Sequence, residues 1–194
     1  QLHLDIMDGT FVPNISFGPA IVALAKKTTR LPLNVHLMLS RPDRYIQRFI
    51  EAGADTVQIH VESSCDIATV LNEIRRLGAA PGLVLNPLTP HRSALPYLDL
   101  IDECLQMTVF PGYGGQKFMS EPLAEIRALR DAATAHGKPH LQIMVDGGVD
   151  RTSITLCAAA GANAFVAGTA LFSRSDMTGE IAAFRELADH AFRP

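Results

Sequence analysis

Tryptophan is absent from the 194-residue sequence, and its three cysteines are Cys65, Cys104 and Cys157. They stand far apart and form no Cys-x-x-Cys pair, and their odd number does not suit a disulfide framework. We therefore expect free thiols in a reducing compartment, the cytoplasm. Long apolar runs are missing too, since no stretch approaches the ~20 apolar residues of a membrane-spanning helix. The first residues also lack the basic-then-apolar order of a signal peptide.

The sequence also lacks a large excess of either positive or negative charge. Lys and Arg number 17 against 20 Asp and Glu, which gives a formal net charge of -3. Such a balance leaves no basic footprint for nucleic acid or for an anionic membrane surface. Apolar residues make up 47% of the chain, which is enough for a sizeable core. We expect neither nucleic acid nor a membrane as a partner.

Short apolar runs alternate with longer amphipathic stretches along the chain. The candidate strands are LHLDIM, PLNVHLML, DTVQIHV, PGLVLN, ECLQMTV, LQIMVD and AFVAGT. The candidate helices lie around residues 19–29, 42–52, 66–77, 91–98, 121–136, 151–160 and 177–191. Strands that alternate with helices across short connections predict a parallel sheet in an α/β fold.

The spacing of these units is that of a (β/α)₈ TIM barrel. Seven units are counted where a closed barrel has eight, so we expect the first βα unit to be absent from this sequence. Residues 1–194 are then one barrel domain that is incomplete at its N-terminus. A doubly wound open sheet is the alternative, but no glycine fingerprint follows the first strand as a dinucleotide fold requires.

Ionisable side chains cluster toward the carboxyl ends of the predicted strands. His3 and Asp5 lie two residues apart, so both point to one side of the first strand. His36, His60 and Asp146 lie near the ends of three other strands, where the mouth of a (β/α)₈ barrel carries its chemistry.

Two imidazoles and two carboxylates suit one divalent cation: Zn²⁺, Fe²⁺, Mn²⁺ or Co²⁺. The predicted ligands are His3, Asp5, His36 and Asp146, and His60 is left as a residue beside them or at the rim. Asp8 faces away from Asp5 on strand alternation and is expected to serve as a turn or cap residue.

Three glycine-rich segments predict a phosphate site. PGYGGQKF and DGGV each follow a predicted strand, and AGTALF leads from the last strand into a turn or helix. Glycines let backbone N–H groups approach an anion, and loops after the last barrel strands are the usual phosphate position in this architecture.

Taken in order, LHLDIMDGTFVPNISFGP, VHLML followed by RP, MTVFPGYGGQKF, VDGGV and AGTALF resemble the ribulose-phosphate 3-epimerase family. The resemblance implies a (β/α)₈ barrel that uses one catalytic divalent metal ion. It also implies interconversion of D-ribulose 5-phosphate with D-xylulose 5-phosphate, which is carbohydrate metabolism of the pentose phosphate pathway. Inverting carbon 3 through an enediolate calls for an acid–base group on each face of the sugar.

By the same resemblance, Asp5 and Asp146 are the catalytic pair and also ligate the metal with His3 and His36. The implied substrate and phosphate contacts are His36, Gly112, Tyr113, Gly114, Gly115, Asp146, Gly147, Gly148, Gly168 and Thr169. The implied pocket-lining methionines are Met7, Met38 and Met107. A homo-oligomer is also expected.

The sequence departs from the family pattern in three places. No Pro-Ser-x-Leu-Ser-like segment is found, Met144 replaces an acidic residue before VDGG, and Phe110 replaces Asn or Glu before PG. Two alternatives therefore stand: a 3-epimerase of a related ketose phosphate such as D-allulose 6-phosphate, or a catalytically silent phosphate-binding barrel. A decarboxylase or aldolase is disfavoured because no strand carries a lysine, and Lys117 lies past the glycines.

Overall fold

The computed structural model describes residues 1–193 and divides into two compact units. The first unit consists of Gln1–Val84 with Asp99–Asp102, and the second of Leu85–Leu98 with the residues from Glu103 onward. Strands and helices alternate along both. This alternation is the one predicted for an α/β fold with parallel strands.

Parallel strands followed by helices make up the first unit. The strands are β1 (Leu2–Met7), β2 (Leu33–Met38), β3 (Thr56–His60) and β4 (Ala80–Leu85), the last residue of β4 being counted with the second unit. The helices are α1 (Pro19–Thr28), α2 (Ile46–Glu51) and α3 (Ile67–Arg76). The strands pair in chain order, and the register places Asp5 beside His36.

The second unit repeats the same plan. Its strands are β5 (Glu103–Met107), β6 (Gln142–Asp146) and β7 (Ala164–Val166), and β6 pairs in parallel with both of the others. Its helices are α4 (Pro122–Ala135), α5 (Arg151–Ala159), α6 (Thr169–Phe172) and α7 (Met177–Ala191). Among residues 1–193, no helix is long and apolar enough to span a membrane.

Strand alternation gives β2 an apolar side and a polar side, although all six of its residues are buried. Leu33, Val35 and Leu37 are fully buried on one side, as expected of parallel strands that are covered on both faces. Asn34 and His36 point to the other side and are equally buried. Burying polar groups is costly unless they are hydrogen-bonded, so this side must provide partners for them.

Five of the seven predicted helices agree with the structure to within two residues. The stretch 42–52 instead forms a 3₁₀ turn at Pro42–Arg44 and then α2, because the backbone of Tyr45 (φ -129°) leaves the helical region between them. The predicted helix at 91–98 is wrong, since two 3₁₀ turns, His91–Ser93 and Leu95–Leu100, occupy this stretch. A proline within the second turn lacks an N–H group and disfavours helical backbone at the residue before it.

Candidate active site and metal centre

Three of the four predicted metal ligands meet in the first unit. His3 and Asp5 lie on the same side of β1, and His3 Nε2 is 3.4 Å from Asp5 Oδ1. His36 lies opposite Asp5 in the β1–β2 register, with its Nδ1 3.0 Å from the same oxygen. One ligand atom of each residue lies within 4.8 Å of those of the other two. The spacing of two residues in β1 therefore brings the side chains of His3 and Asp5 together, as predicted.

The imidazole of His36 is buried and contacts a partner at each nitrogen. Its Nε2 lies 2.9 Å from Nε2 of His60, whose ring is also fully buried. Nδ1 of His60 lies 3.2 Å from Oε2 of Glu62, just past the end of β3. The ring of Phe11 packs beside His60 at a centroid distance of 4.6 Å. Asp5, His36, His60 and Glu62 thus form a continuous chain of contacts, called here the histidine relay.

Burial and hydrogen bonding set the charges in the histidine relay. Burial lowers the pKa of His36 to about 4, and it also lowers the pKa of His60. Burial pushes the pKa of Asp5 up, but hydrogen bonds with His3 and His36 outweigh it and hold that pKa well below its usual range. At neutral pH the carboxylate of Asp5 is therefore charged, and both imidazoles of the relay are neutral.

The donor set of the histidine relay fits a cation between Asp5 and His36. Three contacts join its four side chains, but two neutral imidazoles supply two N–H groups and carboxylates supply none. One contact is therefore left without a hydrogen, and a cation held by Asp5 and His36 would remove this shortfall. Imidazole nitrogen with carboxylate oxygen is a donor set suited to divalent transition metals.

Asp146, the fourth predicted ligand, ends β6 in the second unit and is half-buried. Thr108 holds its main chain, because both the N–H and the Oγ1 of Thr108 donate to the carbonyl of Asp146, at 2.7 and 3.0 Å. The same Oγ1 lies 2.6 Å from the carbonyl of Gly147. The turn that follows the Asp146 carboxylate is thereby fixed to the end of β5.

Close packing requires glycine at positions 147 and 148, in addition to any role that these residues have in binding phosphate. Both have positive φ, at +120° and +63°, where side chains are rarely accommodated. A Cβ on Gly147 would lie 2.7 Å from the backbone nitrogen of Val109, and one on Gly148 would lie 2.7 Å from that of Phe118. The two glycines let the loop after β5 approach the loop after β6.

The other predicted phosphate residues lie in two loops of the second unit. Gln116 braces the first loop, because its side-chain N–H₂ group donates to the carbonyls of Phe110 and Tyr113, at 2.7 and 2.8 Å. Gly112 is buried in this loop, whereas Tyr113, Gly114 and Gly115 are exposed. In the second loop, Gly168 is the N-cap of α6 and Thr169 its first residue. That these residues bind phosphate stays a prediction.

The predicted pocket methionines lie beside predicted metal ligands, on the same strand or on the neighbouring one. Met7 pairs with Met38 in the β1–β2 register, and each follows a predicted ligand, Asp5 or His36, by two residues on the same side of the strand. Met107 pairs with Asp146 in the β5–β6 register. Met38 and Met107 are each 2% exposed, and Met7 is half-buried. These methionines place apolar surface next to the proposed ligands.

Sequence reasoning did not identify one member of the histidine relay, Glu62. It lies beyond the end of β3 among polar residues, where an acidic residue at the surface is common. The sequence predicts His60 beside the ligands or at the rim; the structure places it beside His36, in the interior. A histidine followed two residues later by a glutamate was the available signal.

Comparison with known proteins identifies the family. The model of the ribulose-phosphate 3-epimerase family matches residues 1–172. A ribulose-phosphate 3-epimerase of Bacillus subtilis is 44% identical over 184 residues, covering 95% of this chain and 85% of that protein. A chloroplastic ribulose-5-phosphate-3-epimerase of Arabidopsis thaliana is 45% identical over 179 residues, covering 90% of this chain and 63% of that protein.

Solved structures of lower identity share the fold. The 3-keto-L-gulonate-6-phosphate decarboxylase of Vibrio cholerae matches with a TM-score of 0.68 at 16% identity, over 99% of this chain and 98% of that one. The 3-hexulose-6-phosphate synthase of Salmonella typhimurium matches with a TM-score of 0.59 at 17% identity, over 98% and 99%. The predicted (β/α)₈ TIM-barrel class is confirmed. With its family model and its close relatives in agreement, the chain belongs to the ribulose-phosphate 3-epimerase family of isomerases.

Proposed function

We propose that the protein interconverts D-ribulose 5-phosphate and D-xylulose 5-phosphate by removing the proton from carbon 3 and returning one to the opposite face. The observation that carries this proposal is the cluster of His3, Asp5 and His36 at the paired strands β1 and β2. A charged carboxylate beside the neutral imidazole of His36 is what abstraction of a proton next to a carbonyl calls for. Membership of the family supports the choice of a pentulose phosphate.

The two proton transfers are assigned to Asp5 and Asp146. Inversion needs one acid–base group on each face of the sugar, so one aspartate is protonated while the other is not. The lowered pKa of Asp5 makes it the deprotonated member of the pair in the resting enzyme.

His3, Asp5, His36 and Asp146 are the proposed ligands of one divalent cation: Zn²⁺, Fe²⁺, Mn²⁺ or Co²⁺. When bound, such a cation draws electron density from a carbonyl oxygen and so stabilises the negative charge that develops there. His3 and His36 each place a ring nitrogen beside the carboxylate of Asp5, at 3.4 and 3.0 Å. Met7 and Met38 contribute an apolar lining that excludes water without offering a competing oxygen.

Phosphate recognition is assigned to glycine-rich loops of the second unit. The proposed contacts are Gly112, Tyr113, Gly114, Gly115, Gly147, Gly148, Gly168 and Thr169. Loops in this position carry the phosphate site in many barrels, because backbone N–H groups approach the anion closely where side chains are absent. The free thiols support a reducing compartment, and we place the protein in the cytoplasm as a homo-oligomer.

Deuterium wash-in from heavy water tests this function. We expect the enzyme to place one solvent deuterium on carbon 3 of D-ribulose 5-phosphate, faster than on D-allulose 6-phosphate. Chelation should stop the exchange, and a divalent ion should restore it. Asp5→Asn and Asp146→Asn should each lose at least ~10²-fold in rate. The matched control is Asp66→Asn, because Asp66 caps α3, lies outside the proposed site, and asparagine caps equally well.

Each contrary outcome corrects a different part of the proposal. Faster exchange on D-allulose 6-phosphate would assign the protein to a related ketose phosphate. Exchange on none of the sugars would make the chain a silent phosphate-binding barrel. Near wild-type exchange by Asp146→Asn would rule out the two-aspartate mechanism.

A further inference from the structure

Two side chains of the histidine relay, His60 and Glu62, have no role in the proposed metal site. His60 is fully buried and contacts His36, and Glu62 contacts His60 at the opposite end from Asp5. Neither belongs to the proposed ligand set. We propose that His60 and Glu62 are positioning residues that fix the hydrogen of the His36 imidazole on Nε2, so that Nδ1 is left as a ligand atom. This inference rests on the proposed function, because it presumes that His36 ligates a cation.

The direction of the histidine relay follows from which atoms can donate. Nδ1 of His36 faces the carboxylate of Asp5 at 3.0 Å, so it is the nitrogen that would hold a cation together with that carboxylate. A neutral imidazole with a bare Nδ1 carries its hydrogen on Nε2. The group 2.9 Å from this N–H is Nε2 of His60, which must therefore accept the hydrogen bond.

The ring hydrogen of His60 is placed by its two neighbours, His36 and Glu62. If Nε2 of His60 accepts, its ring hydrogen lies on Nδ1. That nitrogen is 3.2 Å from Oε2 of Glu62, and an ionised carboxylate only accepts hydrogen bonds. Glu62 thus stabilises the one tautomer of His60 that accepts from His36. A carboxylate acting through an imidazole is a recurring way to orient a histidine ligand.

Packing holds the two rings of the histidine relay in this arrangement. The imidazoles of His36 and His60 lie with centroids 5.0 Å apart and planes inclined by 28°. Phe11 packs on His60 at a centroid distance of 4.6 Å, inclined by 47°. Both imidazoles are fully buried, so neither ring turns to water for another partner. The tautomer is consequently set by the relay itself.

Zinc binding by the wild type and four variants tests the proposal, measured by competition with a chromophoric chelator at neutral pH. His60→Leu removes the acceptor at similar volume, and we expect zinc affinity to fall about 10- to 100-fold. His60→Gln should recover most of that affinity, because the amide oxygen reaches the position of Nε2 and accepts from His36. Ser63→Ala is the matched control, since it also loses a buried hydrogen bond, to the carbonyl of Leu39, outside the relay.

Glu62→Gln serves as the second variant, because its site is accessible and it does not disturb the interior. A glutamine amide both donates and accepts, so the relay can then run in either direction. We expect a smaller loss of zinc affinity than for His60→Leu. We also expect ¹⁵N spectra of the zinc-loaded protein to show the hydrogen on Nε2 of His36 and Nδ1 of His60 in the wild type. In Glu62→Gln the spectra should show both tautomers of His60.

The outcomes separate this inference from the proposed function. A wild-type protein that binds no zinc or other divalent ion would refute both. Tight zinc binding by the wild type with equal affinity in folded His60→Leu would refute the positioning role alone. A hydrogen on Nε2 of His60 in the zinc-loaded wild type would refute it as well.

Discussion

Replacing Gly148 by alanine tests whether the turn after β6 is built for close packing. The backbone of Gly148 has φ +63°, and an added Cβ would lie 2.7 Å from the nitrogen and 2.8 Å from the Cα of Phe118. These are backbone atoms, so they do not move aside as the end of a flexible side chain would. Gly137 is a matched control, because it has φ +81° in the same unit but nothing within 4 Å of an added Cβ.

The expected cost separates into a conformational part and a packing part. Left-handed backbone costs an alanine about 1–2 kcal/mol, and the lower entropy of the unfolded chain returns about 0.4–1 kcal/mol. Gly137→Ala should therefore lose about 1 kcal/mol of unfolding free energy. Gly148→Ala adds an overpacking cost of about 1–3 kcal/mol, for a total near 3 kcal/mol. For a chain of this length, that lowers Tm by roughly 6–12 °C, against roughly 2–4 °C for the control.

Urea and thermal unfolding, followed by circular dichroism, measure the two variants side by side. The result that supports close packing is a loss for Gly148→Ala about three times that for Gly137→Ala. Equal losses would mean that the loop before Phe118 moves away without cost, and the packing argument would fail. Glycine would then be required at position 148 for its backbone conformation alone.

Two further predictions concern aspartates that organise backbone. Oδ1 of Asp8 accepts from the N–H groups of Thr10 and Phe11, and Oδ2 from that of Ser40 at 2.8 Å. Because an amide offers one acceptor oxygen, Asp8→Asn should speed hydrogen exchange at Ser40 about tenfold and spare the other two amides; protection unchanged at all three would contradict this. Asp150→Ala removes the cap of α5 and should cost about 1 kcal/mol at pH 7 in urea unfolding. Backbone hydrogen bonds lower the pKa of Asp150, so its stabilisation is present above the unfolded-state pKa and is lost as pH falls through the folded-state value. The deficit of the variant should therefore shrink below about pH 4, and a deficit independent of pH would argue against a charged cap.

Local patterns predicted most of the fold and part of the candidate site. Alternation of short apolar runs with amphipathic ones is enough to place seven strands, because strand and helix periods differ. The two-residue spacing of His3 and Asp5 put both on one side of β1, and their 3.4 Å contact follows from it. Asp8 was expected to cap a turn, and it does so for two amides of its own loop.

The features that the sequence did not reveal depend on atoms far apart in the chain. His36 and His60 are 24 residues apart, and strand register alone does not say which ring nitrogens meet. The third amide that Asp8 binds, that of Ser40, is 32 residues away. The stretch 91–98 has a helical apolar pattern, but its proline limits it to 3₁₀ turns. Contacts between residues this far apart are determined by the fold, whereas the patterns read from a single sequence predict only local structure.

The long motif at the start of the sequence contains Asp5 and also the loop that holds the backbone of Asp5 in position. The loop after β1 turns back toward the strand. Asp8 and Ile15 form an antiparallel β-bridge, and the N–H of Gly9 donates to the carbonyl of Asn14. Ser16 holds the end of β1 in place, because its Oγ donates to the carbonyl of Asp5 at 2.7 Å and accepts from the N–H of Met7 at 3.0 Å. The roles proposed for Asp5, metal ligand and acid–base group, call for a fixed backbone, since small displacements are costly to catalysis. The loop from Asp8 to Ser16 supplies this support, which is why the six-residue strand β1 is followed by a loop of specific sequence.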